Sequence, residues 1–388
     1  IDGLHPCDQP GGKVFVHAGL IARVESVDEL AGVIAHEIAH VHAHHAVRQQ
    51  EKAAAANYAS LLGVFLSIIH PVLGQAALAA GQGIQLKYQR EFEREADLLG
   101  VGYARAAGYD PTAILPMLRK IYEEQRLNPT AVPPYFLSHP LTGERLAYLE
   151  SVLGKAEWDV QPRRADWRLE RVQAIVRAYS QTRREAVPPY ERRLRAAANP
   201  QERARALELL GTLMVHGEEY ETGLRYLEEA ERAGRRVERE LGRAYLRTGA
   251  IEKARQRLER AVAANPGDWN AMADLGEAYL LAGRVEQAVR WLSKAVELDR
   301  YHPETHRMLG RALDKAGKRG AAFYHLAKAA ELEGHSTQAL AYYRKAREAM
   351  GEDDELLEEV RKRIGALAKA EEAERRRPRP VPIPGPRR

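Results

Sequence analysis

The sequence predicts a mainly α-helical chain in two parts, an α+β domain with a small β-sheet and then an α-solenoid. Three observations predict it. His36-Glu37-Ile38-Ala39-His40 lies on an apolar helical stripe, Val14-Phe15-Val16 just upstream has the composition of a strand, and the second half repeats every 34 residues.

Val14-Phe15-Val16 is β-branched and aromatic, as short strands are. An edge strand at this place can pair with an extended peptide through main-chain hydrogen bonds, which give affinity with little sequence selectivity. Its alternative is a structural edge with no ligand. The helix that follows has Ser26 or Asp28 as N-cap, and Leu30, Val33, Ile34 and Ile38 as its apolar stripe. Residues four apart on a helix share one face, about 6 Å apart along the axis. Two imidazoles so placed, His36 and His40, can close on a single Zn²⁺ at about 2.0–2.1 Å each. Glu37 stands beside them, where a carboxylate can take a proton from an attacking water. That is a zincin-like arrangement. The bland alternative is a buried or solvated histidine pair with Glu37 on the surface.

Between Ala53 and Ile84 the chain is rich in Ala, Leu and Gly. Its apolar core, Tyr58 to Ile69, falls short of the roughly 20 residues a transmembrane helix needs. With Pro71, Gly74, Gln75, Gly81 and Gln82 next, a hairpin or lid is expected, and residues 58–84 leave room for peripheral membrane contact. His42 and His44 belong on the helix exterior. The third ligand is expected from Glu93-Arg94-Glu95-Ala96-Asp97, because a catalytic zinc takes three protein ligands and keeps one position open. Glu93 can serve the metal while Asp97, one turn on, orients a histidine ring. Glu91 and Glu95 compete with Glu93. A metzincin site is excluded, since Ala43 and Ala46 stand where its glycine and third histidine belong.

Beyond an Arg- and Trp-rich helical connection with Pro188-Pro189, the repeats begin. Gly242, Gly276 and Gly310 are 34 residues apart, as are Gly249, Gly283 and Gly317, and Leu258, Leu292 and Leu326. Period 34 with Leu-Gly-x-x-Tyr and then Ala-x-x-x-Leu-x-x-Ala is the tetratricopeptide signature. A degenerate repeat with Gly217, Leu227 and Ala230 precedes these. Gly334, Ala339, Tyr343 and Ala346 continue them at a half-repeat offset. Stacked repeats expose a concave groove. Its candidates are Arg243, Asn270, Tyr245 and Tyr279, although both tyrosines occupy packing positions. The expected domains are 1–155, the metal-binding enzyme; 156–198, the connection; 199–350, the array; and 351–388, a terminal helix with a disordered Arg/Pro-rich tail.

The net charge of +5 belongs to that tail. Without its six arginines from Arg375 onward the balance is −1. The globular part therefore lacks the electrostatic footprint of a nucleic-acid binder. Cys7 is the single cysteine, so no intramolecular disulfide forms.

Several ordered motifs over residues 9–150 together resemble the gluzincin metallopeptidases of HtpX and CAAX-protease type, in particular their tetratricopeptide-bearing, BepA-like periplasmic branch. They are Pro10-Gly11-Gly12-Lys13-Val14-Phe15-Val16 with Gly19-Leu20, the HExxH helix with His45 five residues past His40, Arg90 to Asp97, Gly108-Tyr109-Asp110-Pro111, and Ser138-His139-Pro140-Leu141. One departure is His5-Pro6-Cys7-Asp8-Gln9, where the family usually carries Asn-Ala-Phe-Ala. It touches the first strand and the substrate edge, not the metal site. The resemblance implies one Zn²⁺ held by His36, His40 and Glu93, with Glu37 catalytic and Asp97 supporting. His139 is then a regulatory fourth ligand, its alternative being a plain loop histidine. The resemblance also implies a periplasmic or otherwise extracytoplasmic endopeptidase acting on unfolded or misassembled proteins, with an assembly machine as partner through the repeat groove. The other class to weigh is a tetratricopeptide chaperone or adaptor whose metal site is occluded.

Overall fold

The computed structural model describes residues 14, 16–52, 71–127, 139, 141–154, 166–352 and 354–376. The chain divides into two compact units, Ile1–Ala186 and Val187–Arg388.

In the first unit, α1 (Ala18–Ile21) leads into α2 (Val27–His42), whose N-cap is Ser26 and not Asp28. Ser26 Oγ accepts from Glu29 N at 3.0 Å, and the Glu29 carboxylate accepts from Glu25 N at 2.6 Å. Both bonds satisfy donors around the helix start. Asp28 instead accepts from Asp110 N at 3.3 Å, tying α2 to the turn before α4. Helix α3 (Pro71–Ala106) packs along α2, followed by a 3₁₀ turn (Pro111–Ala113) and α4 (Ile114–Leu127). α5 (Gly143–Leu153) and α6 (Trp167–Ser180) complete the unit. Leu20, Val24, Val33, Met117, Leu118 and Ile121 form its core with Leu141, Leu149 and Leu169. Gln173 of α6 donates to the Ile21 and Val24 carbonyls at 3.0 and 2.7 Å, which ties α6 to the end of α1.

Two expectations change here. Among the described residues there is no strand: Val14 and Val16 lie in irregular backbone, and Phe15 falls outside the described residues. A run of three residues needs a partner ladder to become a strand, and no described segment supplies one. The break expected after Pro71 is not observed either. Pro71 opens α3, where its missing N–H costs nothing, and the helix runs on through Gly74 and Gly81. Residues 53–70, the rest of the expected hairpin, fall outside the described residues. No helix among the described residues is long and apolar enough to cross a membrane.

The unit boundary falls within α7 (Arg183–Ala196), which contains Pro188 and Pro189. Antiparallel pairs follow: α8 (Pro200–His216) with α9 (Tyr220–Arg232), α10 (Glu238–Arg247) with α11 (Ile251–Ala264), α12 (Trp269–Leu281) with α13 (Val285–Leu298), and α14 (Pro303–Lys315) with α15 (Arg319–Leu332). α16 (Ser336–Ala349) packs on α15, and α17 (Leu357–Arg376) packs on α16. Within each pair the first helix presents a glycine to a leucine of the second. A Cβ on Gly242 or Gly276 would stand 2.6 or 2.5 Å from Leu258 or Leu292 Cγ. The degenerate first pair obeys the same rule with Gly211 against Leu227, a glycine outside the 34-residue register and missed from the sequence. Gly249, Gly283 and Gly317 turn the chain at φ of +83°, +74° and +75°, and Glu218 adopts φ 65° at the matching turn of the first pair. A non-glycine residue there costs on the order of 1–2 kcal/mol.

The groove candidates divide. Tyr279 is buried and donates to Glu259 at 2.5 Å, while Tyr245 donates to Glu228 at 2.9 Å, so both tyrosines cross-link helices. Arg243 lies 3.4 Å from Asp274 of the next pair, and Asn270 is half-buried in the first turn of α12.

Between α14 and α15, His306 Nδ1 faces His325 Nδ1 at 2.9 Å. Burial, the His306 charge and Lys328 push His325 down from 6.5 to about 3, and burial lowers His306 as well. Above about pH 6.5 both imidazoles are neutral folded or unfolded, and they carry no pH dependence. Below it the unfolded chain takes up protons that the folded pair refuses, so stability falls with pH until about pH 3 is approached. The expected slope is about 1.4 kcal/mol per pH unit for His325, and His306 adds in the same direction. Denaturant titrations at pH 7.5 and 5.0 check it: His325→Leu should flatten the dependence, and a variant with the wild-type slope would contradict it.

Candidate metal centre

α2 and α3 cross at Gly100, where an added Cβ would lie 3.0 Å from His36 N and 3.1 Å from His36 Cα. Only a residue without a side chain lets the helices approach that closely. The approach turns one face of α3 (Glu93, Ala96, Asp97, Gly100) toward the α2 face that carries His36 and His40. All six of these residues are buried or nearly so, with His40 the most exposed at 9%.

The geometry around the histidines is tight. His36 Nε2 and His40 Nε2 are 3.0 Å apart. His36 Nε2 lies 3.4 Å from Glu93 Oε2, and His40 Nε2 lies 3.5 Å from Glu93 Oε1. His139 brings Nδ1 to 2.9 Å from Glu93 Oε1. One ligand atom from each of His36, His40, Glu93 and His139 lies within 4.8 Å of all the others. Glu37 is 2% exposed, and its Oε1 stands 3.7 Å from His139 Nε2. Of the three competing carboxylates, Glu93 faces this cluster. Glu91 is half exposed beside Lys87, and Glu95 turns to His45 and Arg48.

Each of the paired imidazoles is backed at its other nitrogen. Asp97 Oδ1 is 2.9 Å from His36 Nδ1. His40 Nδ1 meets His45 Nδ1 at 2.9 Å, and His45 Nε2 meets Glu95 Oε2 at 3.2 Å. His44 adopts φ 52°, which folds the chain back after α2 and brings His45 under His40, stacked on Phe92 at 4.7 Å. Such contacts fix tautomer and ring orientation, leaving both Nε2 atoms aimed at a common point. The sequence pointed to Asp97 by its spacing. Arg145 it did not reveal at all: Nη1 lies 2.6 Å from Glu93 Oε2, and Nη2 lies 2.7 Å from Asp97 Oδ1.

The electrostatics follow from this packing. Burial pulls His36 down, but its hydrogen bonds to the Asp97 and Glu93 carboxylates outweigh it and raise its pKa to about 9. Burial, with the nearby His36 and His139 charges, drives His40 to about 2. Burial acts against the charged form of Glu93, yet hydrogen bonds from His139 and His36 and the Arg145 charge hold its carboxyl well below the usual 4.5. Asp97 is likewise lowered, by the Arg145 charge and hydrogen bond and by His36, against burial.

The residues fit a divalent ion. Neutral imidazole and ionised carboxylate are the donors a tetrahedral Zn²⁺ takes, and bonds of about 2.0–2.1 Å place neighbouring ligand atoms about 3.3 Å apart. The separation of the two Nε2 atoms, 3.0 Å, and their distances to the two Glu93 oxygens, 3.4 and 3.5 Å, bracket that value.

Residues 7–153 match the model of peptidase family M48, and residues 239–303 match a tetratricopeptide repeat model. The beta-barrel assembly-enhancing proteases of Escherichia coli and Yersinia pestis are each 34% identical over 146 residues, covering 35% of this chain and 30% of theirs. The mitochondrial metalloendopeptidase OMA1 of Bos taurus is 31% identical over 159 residues, covering 38% of this chain and 30% of its own. Among solved structures, MamA MSR-1 C2 aligns at 24% identity with a TM-score of 0.34, covering 44% of this chain and 98% of that one. The chain therefore spans under a third of the length of these curated relatives. The match to peptidase family M48 implies a metal cofactor, and the His/Glu cluster lies within the matched residues. The chain carries a peptidase family M48 domain followed by tetratricopeptide repeats.

Proposed function

We propose that the chain is a zinc metalloendopeptidase that hydrolyses peptide bonds of unfolded or misassembled envelope proteins in an extracytoplasmic space. The observation that carries the reading is the convergence of His36 Nε2, His40 Nε2 and the Glu93 carboxylate, whose two oxygens lie 3.4 Å from His36 Nε2 and 3.5 Å from His40 Nε2, beside buried Glu37. The names of the relatives, beta-barrel assembly-enhancing protease, support the envelope setting and an assembly machine as partner. The tetratricopeptide array, whose stacked pairs offer a groove, recruits the client or that partner.

In this reading His36, His40 and Glu93 hold one Zn²⁺, with Asp97 orienting His36. An ion held there would supply Lewis-acid polarisation of the scissile carbonyl and would make an attacking water more acidic. Glu37 takes the proton of the attacking water and returns it to the leaving amine. Apolar surroundings and burial keep bulk water from the site and strengthen each charge interaction within it.

A second reading has its own observation. His139 stands in the ligand cluster, 2.9 Å from Glu93, at the place a fourth ligand would take. With His139 there the ion has no open position, and the chain acts as a tetratricopeptide chaperone or adaptor that seldom turns over. Digestion of casein by the purified chain, with and without a chelator, tests the main reading. Chelator-sensitive cleavage restored by Zn²⁺ is expected, and cleavage indifferent to the chelator would contradict it. No cleavage by metal-loaded protein, with restoration in His139→Ala, would favour the occluded form.

A further inference from the structure

Arg145 is 7% exposed, and its guanidinium lies along one turn of α3. Nη1 is 2.6 Å from Glu93 Oε2, Nη2 is 2.7 Å from Asp97 Oδ1, and Nε is 2.8 Å from Asp97 Oδ2. One planar side chain thus grips two carboxylates at positions i and i+4. Asp97 in turn meets His36 Nδ1 at 2.9 Å. The grip is anchored: Arg145 sits in the first turn of α5, its N–H is held by the N-cap Thr142 at 3.2 Å, and Leu149 and Leu153 of α5 are buried.

We infer that Arg145 is a positioning residue of the metal centre, fixing Glu93 and Asp97 relative to each other, with Nη2 also 3.4 Å from His36 Nε2, and so setting ion affinity through the ligands and not as one of them. The inference rests on the reading of the cluster as a metal site. Two buried carboxylates one helical turn apart repel each other and swing apart unless a cation holds both. Guanidinium does this because its five donors form a rigid fork that matches carboxylate geometry, whereas a lysine ammonium is a single point charge on a flexible stem. A nearby cation also opposes the entry of a metal ion, so a residue that merely balanced charge would weaken binding, and its removal would tighten it. The sign of the effect separates positioning from charge balance.

The test measures Zn²⁺ and Co²⁺ affinity of the full chain by chelator competition, together with the Co²⁺ absorption spectrum as a readout of ligand geometry. Arg145→Met should bind about 10- to 100-fold more weakly than wild type, the usual loss when the partner of a ligating group is removed. Arg145→Lys, which keeps the charge, should fall between them with an altered Co²⁺ spectrum. Affinity equal to or tighter than wild type in Arg145→Met overturns the inference. If that variant does not fold by circular dichroism, Arg145→Lys decides: a wild-type affinity and spectrum overturn the inference, and weaker binding with a changed spectrum upholds it. Wild-type protein that binds neither ion overturns the metal reading itself, a result distinct from binding to which the variants are indifferent.

Discussion

Glu37→Gln should lower peptide hydrolysis by about 10²- to 10⁴-fold, the contribution of a positioned general base, while leaving bound metal at the wild-type level. The expectation follows from where Glu37 sits. It is adjacent to His36 on α2, buried to 2% exposure, and its Oε1 faces His139 Nε2 at 3.7 Å. It is not among the four residues whose ligand atoms converge. Glutamine keeps the volume and the hydrogen-bonding reach but cannot take a proton. In free energy the loss amounts to about 3–5 kcal/mol of transition-state stabilisation. Steady-state kinetics on an unstructured casein-derived peptide, with metal content measured on the same preparation, check both halves. Hydrolysis within tenfold of wild type would remove Glu37 from the mechanism. Client capture and cellular rescue that persist in this variant would move the balance toward the adaptor reading.

Glu93→Gln should have the larger effect on the protein itself. Glu93 is the counter-charge for Arg145 at 2.6 Å and the hydrogen-bond partner of His139 at 2.9 Å, all three being buried. Arg145 keeps Asp97 as counter-charge, so the loss is that of the charged hydrogen bonds at Glu93, about 1.5–3 kcal/mol. In the presence of a chelator, urea denaturation at pH 7 should show a loss of that order, along with loss of metal retention when no chelator is present. The pH dependence has the same sign as that of the repeat histidines but sets in at lower pH. Packing holds the Glu93 carboxyl well below 4.5, so its contribution is complete above about pH 4.5 and is lost as pH falls further. Wild type and variant should therefore converge in stability on acidification, and a gap that stays constant from pH 7 to pH 3.5 would contradict the assignment.

How much of this the sequence makes legible depends on the range of the interaction. The HExxH pair is readable because helical periodicity alone puts His36 and His40 on one face. The repeat array is readable because period 34 recurs three times, whereas Gly211 escapes that register although it packs on Leu227 as its counterparts pack on their leucines. Glu93 could not be separated from Glu91 and Glu95 by spacing. The backbone approach at Gly100 rotates α3 so that only Glu93 turns inward. Arg145 stands 48 residues beyond Asp97, on a helix whose docking no local pattern encodes. His45 acts through the positive φ at His44, a backbone choice that its side chains do not announce. The strand at 14–16 was misread for the converse reason: β propensity was present, but among the described residues there is no partner for it to pair with.

Elemental analysis of the intact chain, purified without chelator or affinity metal, tests the central claim most directly. The account predicts one equivalent of zinc per chain, lost when His36, His40 or Glu93 is replaced and retained when Glu37 is replaced by glutamine. Protein that is folded and free of any transition metal, and that takes up none on titration, would contradict it.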